Sequence, residues 1–318
     1  MANSNVEAML EALVPRREMP VLAEPIWYHL DTGGKRIRPA LCLMVCDALG
    51  GDSERALHFA AAVELLHNML LVHDDIEDGD TMRRNKPTVW KAYGLGNAIN
   101  IGDYILALGL RAIMLAPVDD PVRLRLMDAY VTTYERTVEG QALDIAARCD
   151  EQFTVEKYLR MAELKTGHYL VLGMAGGAII AGASELTLQV LWQLGRNLGP
   201  AFQIRDDLID LTTGKGRGEK GSDIREGKAS ILYAHALSAS RDGERSRLLE
   251  IMRKPREETT SDDVAWVMAL YERSGSMKFA QETADRLVTD AHHAVRHLPE
   301  SQQQALADLI TYIAERKT

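Results

Sequence analysis

The chain has 318 residues, of which 46% are hydrophobic and 26% charged, so it is long enough to bury a sizeable core and has the composition of an ordinary globular protein. Its formal net charge of −9 argues against a general nucleic-acid binder, because neutralising phosphates requires an excess of Lys and Arg. Three cysteines, of which Cys42 and Cys46 lie one helical turn apart in an apolar stretch, do not make a disulfide framework. The N-terminal segment lacks the continuous apolar core of a signal peptide, so a cytoplasmic protein is expected.

Helical periodicity runs through almost the whole chain. Residues 55–78 carry apolar side chains at three- and four-residue steps, with Ser53 as the expected N-cap and Gly79 as the expected stop. No stretch alternates with a period of two between hairpin turns, so strands are not predicted. Many of the predicted helices are apolar on more than one face, which is typical of a large bundle with central helices. We therefore expect an all-α fold with a single domain over residues 1–318.

Two segments depart from ordinary amphipathic helices. The longest uncharged run, between Lys165 and Glu185, contains five glycines and a histidine, which favours a closely packed core helix over a transmembrane segment. Residues 212–230 contain five glycines and eight charged residues and predict a polar loop. Within this loop, residues 216–221 match GxGxxG but follow no strand, and Ala229 stands where a P-loop requires Ser or Thr, so neither nucleotide motif is predicted.

An acidic cluster follows the apolar run that ends near Val72. Because an α-helix advances about 100° per residue, Asp74 and Asp78 project from one face, and Asp75 lies close beside them. Carboxylates one turn apart can hold a hard divalent cation, and Mg²⁺ is the expected ion where phosphates complete the coordination. Taken alone, the cluster is weak evidence for a metal site and is more typical of a charged helix end.

A second acidic cluster has the same spacing and a different setting. Asp206 and Asp210 are again four residues apart, with Asp207 adjacent, but the side chains around them are apolar. Unpaired carboxylates beside a core are costly, and metal coordination is a common resolution. Two acidic helix faces far apart in sequence are expected to converge across a bundle interior, as in carboxylate metal sites of helical bundles.

Cationic and polar side chains occur where an anionic ligand would need them. Lys35, Arg36 and Arg38 follow two glycines at the expected start of a helix, where backbone N–H groups also favour anions. Each of these positions, considered alone, also has a plain structural interpretation as a solvated charge or a satisfied core group. The remaining candidates are Arg83, Arg84, Lys165, Lys220, Lys228, His67, Gln141 and Gln203.

From about Gly33 to Ser230, the chain resembles the trans-isoprenyl diphosphate synthase (polyprenyl synthetase) family through eight motifs, taken in chain order: GGKRIRP, HNMLLVHDDIED, RRNKPT, NIGD, EGQALDI, KTG, FQIRDDLID and GSDIREGK. The resemblance implies an all-α isoprenoid-synthase fold around a central apolar cavity, a homodimer, and Mg²⁺, with three ions per site when diphosphate is bound. It also implies a reaction that joins an allylic diphosphate head to tail to isopentenyl diphosphate.

The resemblance further implies a role for individual positions. The metal ligands would be Asp74, Asp75, Asp78, Asp206 and Asp210, with Asp206 the more direct ligand of the second motif. The allylic diphosphate would be held by Arg83, Lys165, Gln203, Lys220 and Lys228. The diphosphate of isopentenyl diphosphate would be held by Lys35, Arg38, His67 and Arg84. An allylic carbocation would be stabilised by the carbonyl of Lys165, the hydroxyl of Thr166 and the amide of Gln203.

The chain departs from the common pattern of the family at two places. Asn85 stands after the paired arginines where Gly is frequent, and the sequence after Lys228 reads "ASIL" instead of Thr, an apolar residue and Pro. Neither departure removes a predicted ligand. Met69 and Leu70, one turn before the first acidic motif, would form the cavity floor, where farnesyl-producing relatives carry aromatic rings. We therefore predict geranylgeranyl diphosphate (C20) as the main product, with C15 or C25 as alternatives.

Two other functions fit parts of the sequence. A class I terpene cyclase shares the fold and a first acidic motif, but it has no need for the set that binds isopentenyl diphosphate, and its second motif mixes Asn, Ser or Thr and Glu. A non-catalytic subunit of a heteromeric prenyl synthase tends to lose acidic or basic ligands, whereas this chain keeps every set.

Overall fold

The structure, a computed structural model, describes residues 2–148, 150–212 and 220–314. Cys149 and residues 213–219 of the predicted polar loop lie outside these ranges. Contacts divide the chain into two compact units, Met1–Tyr134 with Val171–Leu191 and Glu135–Leu170 with Trp192–Thr318. The single domain over residues 1–318 stays a prediction. The all-α fold class is confirmed, because helices account for nearly all regular structure in the described ranges.

The first half of the chain contributes these elements: α1 (Ala2–Leu13), α2 (Pro20–Leu30), α3 (Ile37–Ala48), α4 (Ser53–Glu77), β1 (Met82–Arg83), β2 (Lys86–Pro87), α5 (Val89–Tyr93), α6 (Leu95–Leu115) and α7 (Asp120–Ala147). The second half contributes α8 (Val155–Ala162), a π-helical turn (Glu163–Gly167), α9 (His168–Ile180), α10 (Glu185–Thr212), α11 (Ser222–Arg225), α12 (Ile231–Ala239), α13 (Asp242–Met252), a 3₁₀ turn (Arg256–Glu258), α14 (Ser261–Arg273), α15 (Ser276–Val295) and α16 (Glu300–Ala314).

Helix α4 is the central helix of the first unit, and its buried residues cover more than one face, as the sequence predicts. It begins one position away from the prediction. Asp52, not Ser53, is the N-cap, because its carboxylate accepts the N–H of Glu54 at 3.0 Å and so satisfies one of the free amides of the first turn. The helix ends at Glu77, two residues before Gly79, whose φ of 68° allows the chain to turn away.

The uncharged run forms α9, and the prediction of a closely packed core helix is confirmed. Residues 169–179 are all buried. In the first unit, Gly176 lies directly under the ring of Phe59, and a methyl group on Gly173 would lie 2.5 Å from the carbonyl oxygen of Arg38. The glycines therefore serve helix packing, because any side chain at these positions would force neighbouring helices apart.

Two other helices, Ser53–Glu77 and Leu95–Leu115, are long and apolar enough to cross a membrane. For Ser53–Glu77, 72% of the most apolar window is buried inside the protein, which is typical of a core helix. For Leu95–Leu115 the buried share is 39%, so much of α6 presents apolar side chains outward. Length and apolarity alone do not make either helix a membrane span, because core helices pass the same criterion.

In the second unit, a hydrophobic core draws on α8, α10 and the helices from α11 to α15. Its large fully buried side chains include Tyr158 and Tyr271. Helix α14 begins with a capping box in which Thr260 and Asp263 satisfy each other's backbone amides. The helices after the polar loop are thus integral to this core, which is why the loop is an interruption within the fold and not a linker.

Candidate active site

The first acidic cluster lies at the C-terminal end of α4. Asp74 occupies the last turn, and Asp78 is the C-cap, with a right-handed helical backbone and an N–H···O bond of 2.9 Å to the carbonyl of Asp74. Helical geometry therefore continues through Asp78, and the two carboxylates share one face as their spacing predicts. Of the other acidic residues nearby, Glu77 is exposed, whereas Asp80 is buried and its carbonyl accepts two side-chain hydrogen bonds.

Asp75 is 1% exposed and holds Arg83 through one oxygen only. Its Oδ1 accepts Nε of Arg83 at 2.7 Å and lies 2.6 Å from Nη2. Its Oδ2 is buried and has no hydrogen-bond donor among the residues that the structure describes. Burial raises the pKa of this carboxyl, an effect that Arg83 opposes. An acceptor-only oxygen without a donor is the kind of atom that a cation satisfies, so the residues present fit a metal ion at this motif.

A short hairpin positions the two arginines that follow. Strands β1 and β2 pair antiparallel with Arg83 opposite Lys86, so Arg84 and Asn85 form the two-residue turn. Both have positive φ, 49° and 63°, as a type I′ hairpin turn requires. Asn tolerates this conformation better than other residues with a side chain, which explains how Asn85 replaces the usual Gly. Arg84 also donates to Thr32 at 3.3 Å. The sequence analysis predicted no strands, and this two-residue pairing is a small correction to that prediction.

The motif GGKRIRP joins α2 to α3 through a buried arginine. Arg36 is the N-cap of α3 with a φ of 47°, and its guanidinium contacts Glu64 at 2.6 Å and Glu7 at 2.7 Å. Arg36 and Glu64 are both buried, so the pair ties α3 to α4 and has no route to an external ligand. The two candidates on either side differ from it, because Lys35 is exposed and Arg38 half-buried. The motif therefore contains one buried, paired cation between two that are more accessible to solvent.

Two histidines in the first unit lie in a cationic environment. Burial lowers the pKa of His67 well below its ordinary value, and Arg38 and Arg84 lower it further. Burial also lowers the pKa of His29, to about 3, and Arg83 and Arg84 add to the shift. Both imidazoles are therefore neutral near pH 7. Arginines that oppose the protonation of nearby histidines bring positive charge to this part of the first unit, which suits an anion such as diphosphate.

In the second unit, the KTG motif forms a π-helical turn between α8 and α9, at Glu163–Gly167. Nζ of Lys165 lies 2.6 Å from a carboxylate oxygen of Asp144 on α7, and Thr166 is buried. A methyl group on Gly140 would lie 2.6 Å from the Cα of Lys165, so only glycine allows α7 to approach the turn this closely. π-Helical turns are rare and are frequent at functional sites, and this one carries two of the predicted site residues.

The three aspartates of the second acidic cluster differ in how deeply they are buried and in what they contact. Asp206 is half-buried, whereas Asp207 and Asp210 are buried. Oδ2 of Asp207 accepts the hydroxyl of Tyr158 at 2.8 Å, and Oδ1 accepts Nε2 of Gln203 at 3.1 Å. Burial raises the pKa of Tyr158 well above its ordinary value, and Asp207 raises it further, so the phenol remains a donor. Asp207 therefore binds side chains of its own unit.

Asp210 is fully buried and anchors the end of the polar loop. One of its oxygens accepts the hydroxyl of Ser222 at 2.6 Å and the other accepts the backbone N–H of Asp223 at 3.1 Å. Its carbonyl accepts the N–H of Gly221 at 3.1 Å. Both side-chain oxygens of this predicted metal ligand thus contact donors of the protein, and its role at a metal stays a prediction.

The lysines of the loop have different environments. Lys220 is exposed and borders the residues outside the described ranges. Lys228 is half-buried, and its Nζ lies 2.9 Å from Glu226 and 3.9 Å from Asp223. Lys165 and Lys228 therefore both have a carboxylate partner in this structure, which a diphosphate would have to displace.

Met69 and Leu70, the predicted floor residues, lie in α4 one turn before Asp74. Met69 is fully buried and Leu70 half-buried. Sequence reasoning assigned no role to Asp144, Tyr158 or Glu64. Asp144 lies within the EGQALDI motif, so the sequence could have predicted a role for it in the site. Tyr158 and Glu64 bind partners 49 and 28 residues away, and no local sequence pattern predicts these contacts.

Comparisons with known proteins agree with the arrangement of motifs. The family model described as "Polyprenyl synthetase" matches residues 19–271. The chain is 35% identical to geranylgeranyl diphosphate synthase of Saccharolobus solfataricus, with 91% of this chain and 87% of that protein covered. It is 30% identical to geranylfarnesyl diphosphate synthase of Natronomonas pharaonis, over 91% of this chain and 88% of that protein.

Among solved structures, the fold is similar to the crystal structure of geranylgeranyl pyrophosphate synthetase from Pyrococcus horikoshii, with a TM-score of 0.90 and 34% sequence identity. That similarity covers 99% of this chain and 96% of the other. Since the family model, the relatives and the fold agree over most of its length, the chain belongs to the polyprenyl synthetase family of prenyl-transferring enzymes.

Proposed function

We propose that this enzyme joins isopentenyl diphosphate head to tail to an allylic diphosphate (dimethylallyl, geranyl or farnesyl) and releases diphosphate. The observation that carries the proposal is the cationic cluster of the first unit, in which His29 and His67 stay neutral beside Arg38, Arg83 and Arg84. Such a cluster suits a highly charged anion that enters and leaves.

The diphosphate of isopentenyl diphosphate is assigned to Lys35, Arg38, His67 and Arg84. All four belong to the first unit. The arginines supply bidentate donors that match phosphate oxygens, and the neutral imidazole of His67 supplies one N–H without adding charge. The hydrogen bond from Arg84 to Thr32 and the strained turn that carries Arg84 hold one of these donors in place before the substrate arrives.

The allylic diphosphate is assigned to Arg83, Lys165, Gln203, Lys220 and Lys228. Before binding, Lys165 is paired with Asp144 and Lys228 with Glu226. A diphosphate exchanges these carboxylates for phosphate oxygens that carry more charge, so the cations stay compensated throughout. Charge developing on the departing diphosphate is then stabilised by groups that are already oriented.

Mg²⁺ is assigned to Asp74, Asp75, Asp78, Asp206 and Asp210, with three ions per site as a further part of the proposal. Among the described residues, no group of three or more His, Cys, Asp or Glu side chains is close enough to hold an ion by itself. This arrangement suits Mg²⁺, which usually takes one or two carboxylates and completes its shell with phosphate and water. When bound, the ions would neutralise the leaving diphosphate and so favour ionisation of the allylic C–O bond.

The carbonyl of Lys165, the hydroxyl of Thr166 and the amide of Gln203 are assigned to the allylic carbocation. The π-helical turn supports this assignment, because the wider turn alters the regular i→i−4 bonding of the backbone around Lys165. The isopentenyl double bond then attacks the cation, and the proton it loses is accepted by the released diphosphate. The chain needs no nucleophile of its own for this sequence of steps.

Product length follows from the floor that Met69 and Leu70 provide. Neither side chain is aromatic, and Met adapts its shape to a ligand more readily than a ring does. We propose geranylgeranyl diphosphate (C20) as the main product, and the names of the relatives from S. solfataricus and P. horikoshii support it. The geranylfarnesyl name of the N. pharaonis relative keeps C25 open as an alternative, together with C15.

A homodimer is the proposed assembly, through the outward face of α6 and the start of α7. Leu95 and Ile99 are 53% and 45% exposed on one face of α6, and Leu124 on α7 is 70% exposed. Large apolar side chains exposed on helix surfaces suit an interface, and a second copy would cover them. The proposed location is the cytoplasm.

The decisive experiment is an elongation assay. Purified protein is incubated with Mg²⁺, isopentenyl diphosphate and each allylic primer separately, and the products are separated by chain length after removal of the diphosphate. We expect C20 to dominate with at least one primer, with no product when Mg²⁺ is chelated. Absence of elongation with every primer would overturn the proposed function. A cyclised hydrocarbon in place of a linear prenyl diphosphate would instead indicate a terpene cyclase.

A further inference from the structure

Asp207 stands in the middle of the second acidic motif, yet its contacts differ from those expected of a metal ligand. It is 6% exposed, and each carboxylate oxygen accepts a hydrogen bond from a neutral side chain. Tyr158 donates to Oδ2 at 2.8 Å and Gln203 donates to Oδ1 at 3.1 Å. Both donors belong to the same unit as Asp207. The carboxylate is therefore the acceptor at the centre of a three-residue network.

This network determines which way the amide of Gln203 points. The two ends of a Gln amide have nearly the same shape, so the position of O and N is usually ambiguous. Here chemistry decides, because an ionised carboxylate only accepts hydrogen bonds and must therefore face the NH₂ group. The carbonyl oxygen of Gln203 is then on the side of the amide away from Asp207. A half-buried amide held in this way offers its electron-rich end to positive charge.

Tyr158 completes the restraint from α8. Its side chain is 1% exposed, and its hydroxyl holds the second oxygen of Asp207. With both oxygens engaged, rotation of the carboxylate would break one hydrogen bond or both inside the core and leave buried polar groups unsatisfied. The orientation of Gln203 thus depends on Asp207 and, through it, on Tyr158.

We propose that Asp207 is a positioning residue and not a Mg²⁺ ligand: together with Tyr158 it holds the carbonyl oxygen of Gln203 toward the carbon on which the allylic cation forms. The inference rests on the proposed function, and it assigns the three aspartates of the motif to different tasks. Asp206 would hold the ion, Asp207 orients the amide, and Asp210, besides its assignment to Mg²⁺, anchors the loop through Ser222.

The test compares Asp207→Asn with Asp206→Asn, its neighbour, as a matched control. An Asn at 207 can present either its carbonyl or its amide to Gln203, so the Gln203 amide is no longer held one way. We expect kcat to fall roughly 10- to 100-fold, while the KM for isopentenyl diphosphate and the Mg²⁺ concentration for half-maximal rate stay within about twofold. Asp206→Asn should instead raise that Mg²⁺ concentration about tenfold or more.

Two further measurements separate positioning from a general loss of structure. In the background of Gln203→Ala, which removes the amide, Asp207→Asn should cost less than about twofold in kcat, because the two residues act through one interaction. Tyr158→Phe should lower kcat in the same direction by about 3- to 10-fold, with helix content by circular dichroism unchanged. Multiplicative losses in the double variant would overturn the proposal.

A binding measurement that does not require turnover tests the role of Asp207 even if the proposed reaction is not observed. The melting temperature of each variant is measured with and without Mg²⁺ and inorganic diphosphate. We expect Asp207→Asn to keep the shift shown by the unmodified protein and Asp206→Asn to lose it. Loss of the shift in Asp207→Asn to the same extent as in Asp206→Asn would show that Asp207 binds the ion, whether or not any prenyl product is formed.

Discussion

Replacing Gly140 by Ala should disturb the active site from a position that contacts no substrate. The added methyl group would lie 2.6 Å from the Cα of Lys165 and 2.8 Å from the carbonyl carbon of Leu164. The backbone N of Lys165 would lie closer still. Ordinary contacts begin near 3.4 Å, so α7 and the π-helical turn must separate by more than the 3.4 − 2.6 = 0.8 Å that clears the Cα. The neighbouring atoms are backbone, and no rotamer change can relieve the clash.

The magnitude has two parts. Overpacking of a buried helix contact typically costs about 1–3 kcal/mol, from which the gain of about 1 kcal/mol for Gly→Ala in a helix must be subtracted. The net loss of unfolding free energy is therefore at most about 2 kcal/mol, and the protein should still fold. Activity should suffer more, because a displacement of about 1 Å at Lys165 costs on the order of 100-fold in rate.

The assay measures urea unfolding and kcat for Gly140→Ala beside Gly243→Ala. Gly243 lies near the start of α13 in the same unit, and a methyl group there would meet nothing within 4 Å in the described parts of the chain. The control should therefore be neutral or slightly stabilising and fully active. Equal stability and equal kcat for the two variants would refute the reasoning that glycine is required for the approach of α7 to Lys165.

Three further predictions concern the first unit. Met69→Phe with Leu70→Phe should shorten the product from C20 toward C15, and unchanged chain lengths on chromatography would contradict the floor assignment. Arg36→Met should lower the free energy of unfolding in urea by about 3–5 kcal/mol, because it leaves Glu64 buried without its partner. Adding Glu64→Leu should recover most of that loss. Equal stability of the single and double variants would contradict a structural role for the Arg36–Glu64 ion pair. Burial lowers the pKa of His29 from 6.5 to about 3, so this side chain stays neutral in the folded protein at pH values where the unfolded chain takes up a proton. Its contribution to stability is therefore complete above about pH 6.5. That contribution is lost as the pH falls toward about 3, at ~1.4 kcal/mol per pH unit. His29→Gln should show a correspondingly flatter loss of stability on acidification, and identical pH profiles would refute the shift.

Much of the fold followed from local patterns. Apolar side chains at three- and four-residue steps predicted α4 to within two residues at its C-terminal end, and the uncharged run predicted the buried helix α9. The shared face of Asp74 and Asp78 followed from the 100° step of the helix alone. The predicted N-cap of α4 was wrong by one residue, because Asp52 and Ser53 are both good N-cap residues. Which of them caps the helix depends on where the preceding turn ends.

The hairpin shows where a short pattern is insufficient. Two-residue strands are too brief to produce a visible alternation, so β1 and β2 were not predicted. Once the pairing is known, the positive φ of Asn85 gives its departure from the family pattern a physical reason. The residue type was visible in the sequence, whereas the backbone conformation that explains it was not.

The sequence by itself determined the helical fold, because helix periodicity is a property of neighbouring residues, and its motifs carried the resemblance to the polyprenyl synthetase family. Only the tertiary structure decided which partners the charged side chains bind. The spacing places Asp206, Asp207 and Asp210 on one helix, but Asp207 and Asp210 accept hydrogen bonds from Tyr158 and Ser222, which belong to other elements. The donors that surround a buried carboxylate determine which hydrogen bonds it accepts. Packing between segments distant in the chain brings those donors together.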